Sequence, residues 1–248
     1  GHSLAVSMGV VSVLYAIVGG VYAVLWLLAP VLAATLFILV TWFHWGQGDV
    51  HALVTFVGVD HLHSRSLRAA TCVVRGGLPM FVPLLAFPNR YRSVVESWVG
   101  LFGTELSVPW LFAEQARLIG GSLFLGFTIV TLLAGYRAAG ETRGWRVDAG
   151  ETGLLWVFFL TLPPLVAIGV YFCIWHALRH VLRVAAIDRE ALSSARRSLG
   201  RFARDAAPLT ALALVFLVGF IALVPAVPTT PDELTAAYLV FIAVLTLP

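Results

Sequence analysis

The chain passes repeatedly through apolar stretches of membrane-crossing length, and this constrains its fold more than any other feature. Spanning a bilayer as a helix takes about 20 predominantly apolar residues, and inside hydrocarbon every backbone N–H and C=O must find its partner within the protein. Leu4 to Leu28 is the first such stretch, with Gly19-Gly20 inside it as a close-packing site or bend and Pro30 as its stop. Val31 to Val59 is the second, purely apolar at first and then gathering Trp42, His44, Trp45, Gln47, Asp49 and His51. Leu118 to Ala134 and Leu209 to Val224 span again, and a last run begins at Leu234 behind Pro231-Asp232-Glu233. With 60% hydrophobic and 12% charged residues, against roughly 25% charged in an ordinary soluble domain, a soluble globular fold is excluded. We expect an all-α polytopic transmembrane bundle of about six to eight segments, some kinked or re-entrant, forming a single integral-membrane domain over residues 1–248.

The stretches between these runs are harder to place. Asp60 to Arg75 carries His61, His63, Arg65, Arg68 and Arg75 and reads as a loop or interfacial helix in contact with lipid headgroups. Gly76 to Phe87, interrupted by Pro79 and Pro83, and Val94 to Phe102 are each too short to span alone, which predicts a kinked or re-entrant pair. Arg137 to Glu151 is polar and expected outside the hydrocarbon. Thr152 to Val184 is apolar around Pro163-Pro164; as one helix it would measure about 50 Å against a core of ~30 Å, so it is one long kinked helix or two short ones. Asp188 to Asp205 is polar again, and seven Arg fall between 179 and 206, which places that end on the cytoplasmic side.

The net charge of +3 comes from Arg alone, for there is no Lys. Most of it sits in short connections, so it is loop charge and not a nucleic-acid face. The two cysteines, Cys72 and Cys173, give no disulfide framework. Phosphate-binding loops, nucleophile elbows and paired carboxylates are absent from the sequence pattern, and Asp49 stands almost alone as an acid inside a span.

Two constellations can carry chemistry. In Tyr171-Phe172-Cys173-Ile174-Trp175-His176-Ala177-Leu178-Arg179-His180, two histidines lie four residues apart in an apolar helical context. That spacing turns a helix by about 40° and advances it about 6 Å, so both imidazoles can face one metal ion. The alternative is a chance pair near a helix end, where cations are tolerated. In Trp42-Phe43-His44-Trp45-Gly46-Gln47-Gly48-Asp49-Val50-His51, a continuous helix puts His44 and His51 on nearly one face with Gly48 leaving room between them. Gln47, Asp49 and His51 are candidates to hold a ligand's ring N–H, or else belong to a polar network that joins helices. His61 and His63 alternate and read as surface residues. Trp42, Phe43, Trp45, Tyr171, Phe172 and Trp175 adjoin the proposed ligands, either as the lining for a flat apolar ligand or as aromatic core.

These two motifs, with Arg75-Gly76-Gly77-Leu78-Pro79-Met80 and the closing Leu245-Thr246-Leu247-Pro248, resemble the Brp/Blh family of membrane β-carotene 15,15′-dioxygenases. The resemblance covers nearly the whole chain. It implies a multi-pass cell-membrane enzyme using Fe(II) and O2 to split β-carotene at its central double bond into two retinals, with a functional link to a microbial rhodopsin. It makes His44, His176 and His180 the catalytic iron ligands. The family's Pro-His-Gly motif, which supplies a further ligand from an early helix, does not occur here, and family members continue past the closing Leu-Pro to another His. We therefore expect the native chain to extend beyond one or both ends. Imidazole ligands suit Fe(II), Zn or Cu alike, so iron is implied by the resemblance and not by ligand type.

Two other function classes stay open at this level. A di-metal membrane hydroxylase or desaturase also uses such His boxes, but needs about eight histidines in several of them, where this chain offers one clear box. A haem- or retinal-binding partner of an opsin is the non-enzymatic reading; covalent retinal would ordinarily require a Lys.

Overall fold

A computed structural model of the chain describes residues 4–179 and 230–246, with isolated helical positions between 204 and 219. Among the described residues the structure is helical throughout, joined by turns. The chain forms two compact units: residues 1–40, 93–107 and 208–248 make the first, residues 41–92 and 108–207 the second.

In the first unit α1 (Leu4–Leu28) leads into α2 (Pro30–Ala52) across Ala29 alone. Pro30 has no N–H, which costs nothing at a first helical position. Ala29 keeps the two helices in register by donating to Leu25 O at 2.8 Å and accepting from the Ala33 N–H at 3.0 Å. Farther along the chain, α4 (Pro88–Gly100) contributes its end and α8 (Pro231–Thr246) packs on α1. The interior is Tyr22, Trp26, Ala33, Ala34, Trp98, Val99, Ala236, Ala237, Val240 and Ala243. Alanines at these positions let backbones approach, as in packed membrane helices. The phenol of Tyr22 donates to Ala33 O at 2.8 Å, and Trp26 stacks on Phe102 with ring centroids 5.5 Å apart. On α1 the side chains of Val13, Ile17, Val21, Val24 and Leu28 face outward, a continuous apolar surface that suits lipid.

The second unit is organised around α3 (Arg65–Ala86), which packs on α5 (Glu114–Ala138) and α6 (Thr142–Thr161). This helix corrects two expectations. Residues 65–75 of the stretch expected as a loop or interfacial helix form one helix with the Pro-interrupted piece after it as far as Ala86, started by the Ser64 Oγ, which accepts the Leu67 N–H at 3.2 Å. Pro79 and Pro83 lie inside it without ending it; neighbouring helices hold its path, as in buried membrane helices. α4 follows it across Phe87 alone. The second half of α2 lies against α3 closely enough that a Cβ on Gly46 would stand 2.0 Å from Cys72 O, and one on Gly76 1.8 Å from Trp42 O.

Beyond α2 the chain continues as a π-helical segment, Leu53–Val57, which Gly58 ends in the left-handed region at φ 68° while the Val59 N–H reaches back to Leu53 O. The long apolar stretch after Thr152 resolves as two helices. α6 stops at Thr161, Leu162 is extended as expected before proline, and α7 (Pro164–Val170) begins on Pro164. It runs on through a π-helical segment, Tyr171–His176. Pro30–Val57, Arg65–Ala86 and Glu114–Ala138 are long and apolar enough to cross a membrane, and Val13–Leu28 and Pro164–Arg179 are shorter apolar helices. Most of the expected span Leu209 to Val224 and of the Arg cluster lies outside the described residues.

Candidate active site

His44 sits on α2 and His176 on the π-helical segment after α7, and the fold brings their rings to 5.5 Å between centroids. Both line a cavity of about 370 Å³ with Gln47, Gly48, Asp49, His51, Phe56 and Arg179. Gly48 leaves the space between the histidines free of a side chain: a Cβ there would lie 3.5 Å from His176 Cε1, an ordinary contact. Val50 and Val54 add apolar wall. His180, the third predicted ligand, lies outside the described residues.

The π turn re-aims the histidine. The Ala177 N–H donates to Phe172 O, five residues back, in place of the α-helical four. One extra residue in a turn rotates the next part of the helix by about 100° about the axis, and such turns concentrate at functional sites. His176 is held between aromatic faces: Phe172 stacks on it with centroids 5.9 Å apart and planes at 19°, and the Trp45 ring lies 5.8 Å away.

The six predicted aromatics separate accordingly. Trp45, Phe172 and Trp175 surround His176 or its neighbours. Tyr171 is buried between Trp45 and Phe159. Trp42 packs on Phe81 and Phe124 and donates its indole N–H to Val73 O at 2.8 Å, and Phe43 is exposed. The aromatic on the cavity wall is Phe56, which the sequence pattern did not single out. His51 lines the cavity near Thr55, their side chains 3.5 Å apart.

The largest correction concerns charge. Arg75, expected at lipid headgroups, has no solvent exposure and sits at the centre of an ion cluster. Its Nε–H and Nη2–H donate to Asp148 Oδ1 at 3.2 and 2.8 Å, its Nη2–H also to Glu151 Oε2 at 2.9 Å, and its Nη1–H to Asp49 Oδ2 at 3.5 Å. Arg179 completes the cluster with Asp49 Oδ1 at 3.0 Å and Glu151 Oε1 at 2.7 Å. His61, expected on the surface, is buried with its Nε2 3.0 Å from Asp148 Oδ2, whereas His63 is exposed as expected. Arg137 to Glu151 therefore does not read as a wholly polar connection, because its last turn is folded inward. The missed signal was the spacing Asp148, Glu151, Thr152, which places polar side chains on one face of α6 just before an apolar run.

No group of three or more His, Cys, Asp or Glu side chains stands ready around a metal among the described residues. The donor set does fit one in part: two imidazoles on separate helices face one cavity, and the carboxylates beside them are taken up by arginines. Imidazole nitrogens are donors suited to a divalent first-row metal.

A family model described as "Beta-carotene 15,15'-dioxygenase" matches residues 3–248. The chain is 49% identical over 246 residues to the probable beta-carotene 15,15'-dioxygenase Blh of Halobacterium salinarum, covering 97% of this chain and 71% of that protein. It is 32% identical over 176 residues to the probable beta-carotene 15,15'-dioxygenase Brp of the same organism, covering 70% of this chain and 49% of that protein. No solved structure matches the chain.

Proposed function

The chain belongs to the beta-carotene 15,15'-dioxygenase family, and from that premise we propose that it cleaves β-carotene with O2 at the central 15,15′ double bond. Each half of the carotene takes one oxygen atom and leaves as retinal, so the two atoms of O2 account for both aldehydes. The observation that carries this reading is the meeting of His44 and His176 at one cavity from different helices, in a chain matched to the family over nearly its whole length.

Iron(II) is part of the proposal, held by His44 and His176 with His180 as a further ligand. When bound it supplies the one-electron chemistry that lets ground-state O2 react with a closed-shell alkene. The protein's own contribution is placement. Phe172 and Trp45 pack on the His176 ring and restrict its plane. Val50, Val54 and Phe56 offer apolar wall to a hydrocarbon chain, while Gly48 keeps the approach to the two imidazoles open. Asp49 and Arg179, two of the charged residues lining the cavity, are paired with one another at 3.0 Å.

We read the protein as multi-pass in the cell membrane with about six to eight segments, a setting that suits a substrate dissolved in lipid. A microbial rhodopsin is the natural consumer of the product. The test is chromatography of pigments from β-carotene-accumulating cells expressing the chain, with His44→Ala and His176→Ala alongside. Retinal from the wild type alone supports the proposal; apocarotenals of other lengths move the bond that is cut; unchanged carotene, with folded protein in the membrane, overturns it.

A further inference from the structure

Four charged side chains close a ring across four helical segments. Asp49 of α2 binds Arg179, Arg179 binds Glu151 of α6, Glu151 binds Arg75 of α3, and Arg75 returns to Asp49, at 3.0, 2.7, 2.9 and 3.5 Å. Charges alternate around it. Arg75 and Asp49 are essentially unexposed, and Arg179 and Glu151 are each 19% exposed. Burial of ions is costly unless each is paired with good geometry, and it does not by itself argue for stability. A ring of this kind needs another reason to exist.

Its position supplies one. Asp49 comes five residues after His44 on the same helix. Its carboxylate takes the Arg179 guanidinium on Oδ1 and the Trp175 indole N–H on Oδ2, at 3.0 and 3.4 Å. Trp175 and Arg179 bracket His176 in sequence and stack on each other, the guanidinium carbon 4.2 Å from the ring centroid. One carboxylate on the helix of His44 therefore grips the segment of His176 on both sides of that histidine. Apolar packing anchors this segment at Tyr171, which is buried, whereas Phe172, Ile174 and Leu178 are exposed. Dispersion contacts tolerate sliding and rotation; a carboxylate and guanidinium held by directed hydrogen bonds do not.

We propose that Asp49 and Arg179 are positioning residues, the contact that sets the separation and mutual aim of His44 and His176, with Glu151 and Arg75 anchoring Arg179 and Asp49 to the rest of the unit. This rests on reading the two histidines as metal ligands. It predicts that Asp49→Asn, which keeps shape and loses charge, lets the two imidazoles drift.

The experiment loads purified chain with Co(II), without carotene or O2, and reads affinity and the visible ligand-field spectrum beside a thermal melt. Asp49→Asn should still unfold cooperatively, bind Co(II) about 10–100-fold more weakly, and show shifted bands. A lowered melt with unchanged cobalt affinity and spectrum would make the ring merely structural and overturn the inference. Should Asp49→Asn fail to fold, Arg179→Lys decides. An ammonium cannot bridge both carboxylates as the planar fork does, so a shifted spectrum supports positioning and an identical one overturns it. A wild-type chain that binds no cobalt overturns the metal reading and this inference with it. Cobalt binding without retinal formation overturns only the proposed reaction, and the variants still decide on positioning.

Discussion

In the first unit the buried side chains are Tyr22, Trp26, Trp98 and a set of alanines and valines; in the second, Asp49, His61, Arg75, Thr128, Asp148 and Thr152 are buried among apolar neighbours. All the buried polar and charged residues among the described ones fall in the second unit. Both are built from apolar helices, so hydropathy does not separate them. What differs is how orientation is specified. Small-residue and aromatic packing brings helices together at close range, whereas directed ion pairs fix which side chains face one another, and only the second unit has two histidines to aim.

Four experiments test that contrast, the largest effect first. Arg75→Met leaves Asp49, Asp148 and Glu151 without their shared cation; breaking a buried pair in this way costs on the order of 3–5 kcal/mol. We expect a large fall in the melting temperature of detergent-solubilised protein and loss of product, and an unchanged melt would break the comparison. Ala237→Leu enlarges a side chain that has no exposure in the first unit, and overpacking of that kind costs about 1–3 kcal/mol. It should lower the melt while sparing the Co(II) spectrum of any chain that still folds.

Gly48→Ala acts the other way. The added methyl meets His176 Cε1 at 3.5 Å, and Ala is favoured over Gly inside a helix by roughly 0.5–1 kcal/mol. A small rise in melting temperature with metal binding retained is expected, and a fall would mean that the cavity wall is packed as tightly as a core.

The smallest effect lies at the turn before α6. There the Asp60 carboxylate accepts the Gly140 and Glu141 N–H groups at 3.0 and 2.9 Å. The Glu141 N–H, and with it the Gly140 N–H, holds the Asp60 carboxyl below its usual range. A lowered folded-state value favours the folded state above the unfolded carboxyl pKa, about 3.9, and the benefit is lost as pH falls through the depressed value. Asp60→Asn should flatten that acid limb of a stability-versus-pH curve and change little near neutrality; an unaltered limb would remove Asp60 from the account.

Run length and proline position made much of the helical framework legible. Leu4–Leu28, the start of α2 at Pro30, α5 and α8 are set by them directly. The Pro163-Pro164 break was visible, though whether it kinks or divides the helix was not. At the site, His44 and His176 were legible as residues, because a histidine inside an apolar run is costly and so conspicuous. Arg75 was not. It lies in a segment with Arg65 and Arg68, both exposed, and nothing local distinguishes it from them. Its fate depends on Asp148 and Glu151, more than seventy positions away.

By itself, then, the sequence determined that the chain builds helices, as its described residues do, and is rich enough in apolar runs for a membrane, with histidines as its unusual polar content. Those properties are local, since each is set by the composition and spacing of a few adjacent turns. Only the tertiary structure decided that one carboxylate of α2 would meet Trp175 and Arg179 on either side of His176, that Arg75 would be buried and not solvated, and that the two histidines would share one cavity. A charged side chain satisfies its demand for partners through space, and that demand leaves no periodicity in the chain that carries it.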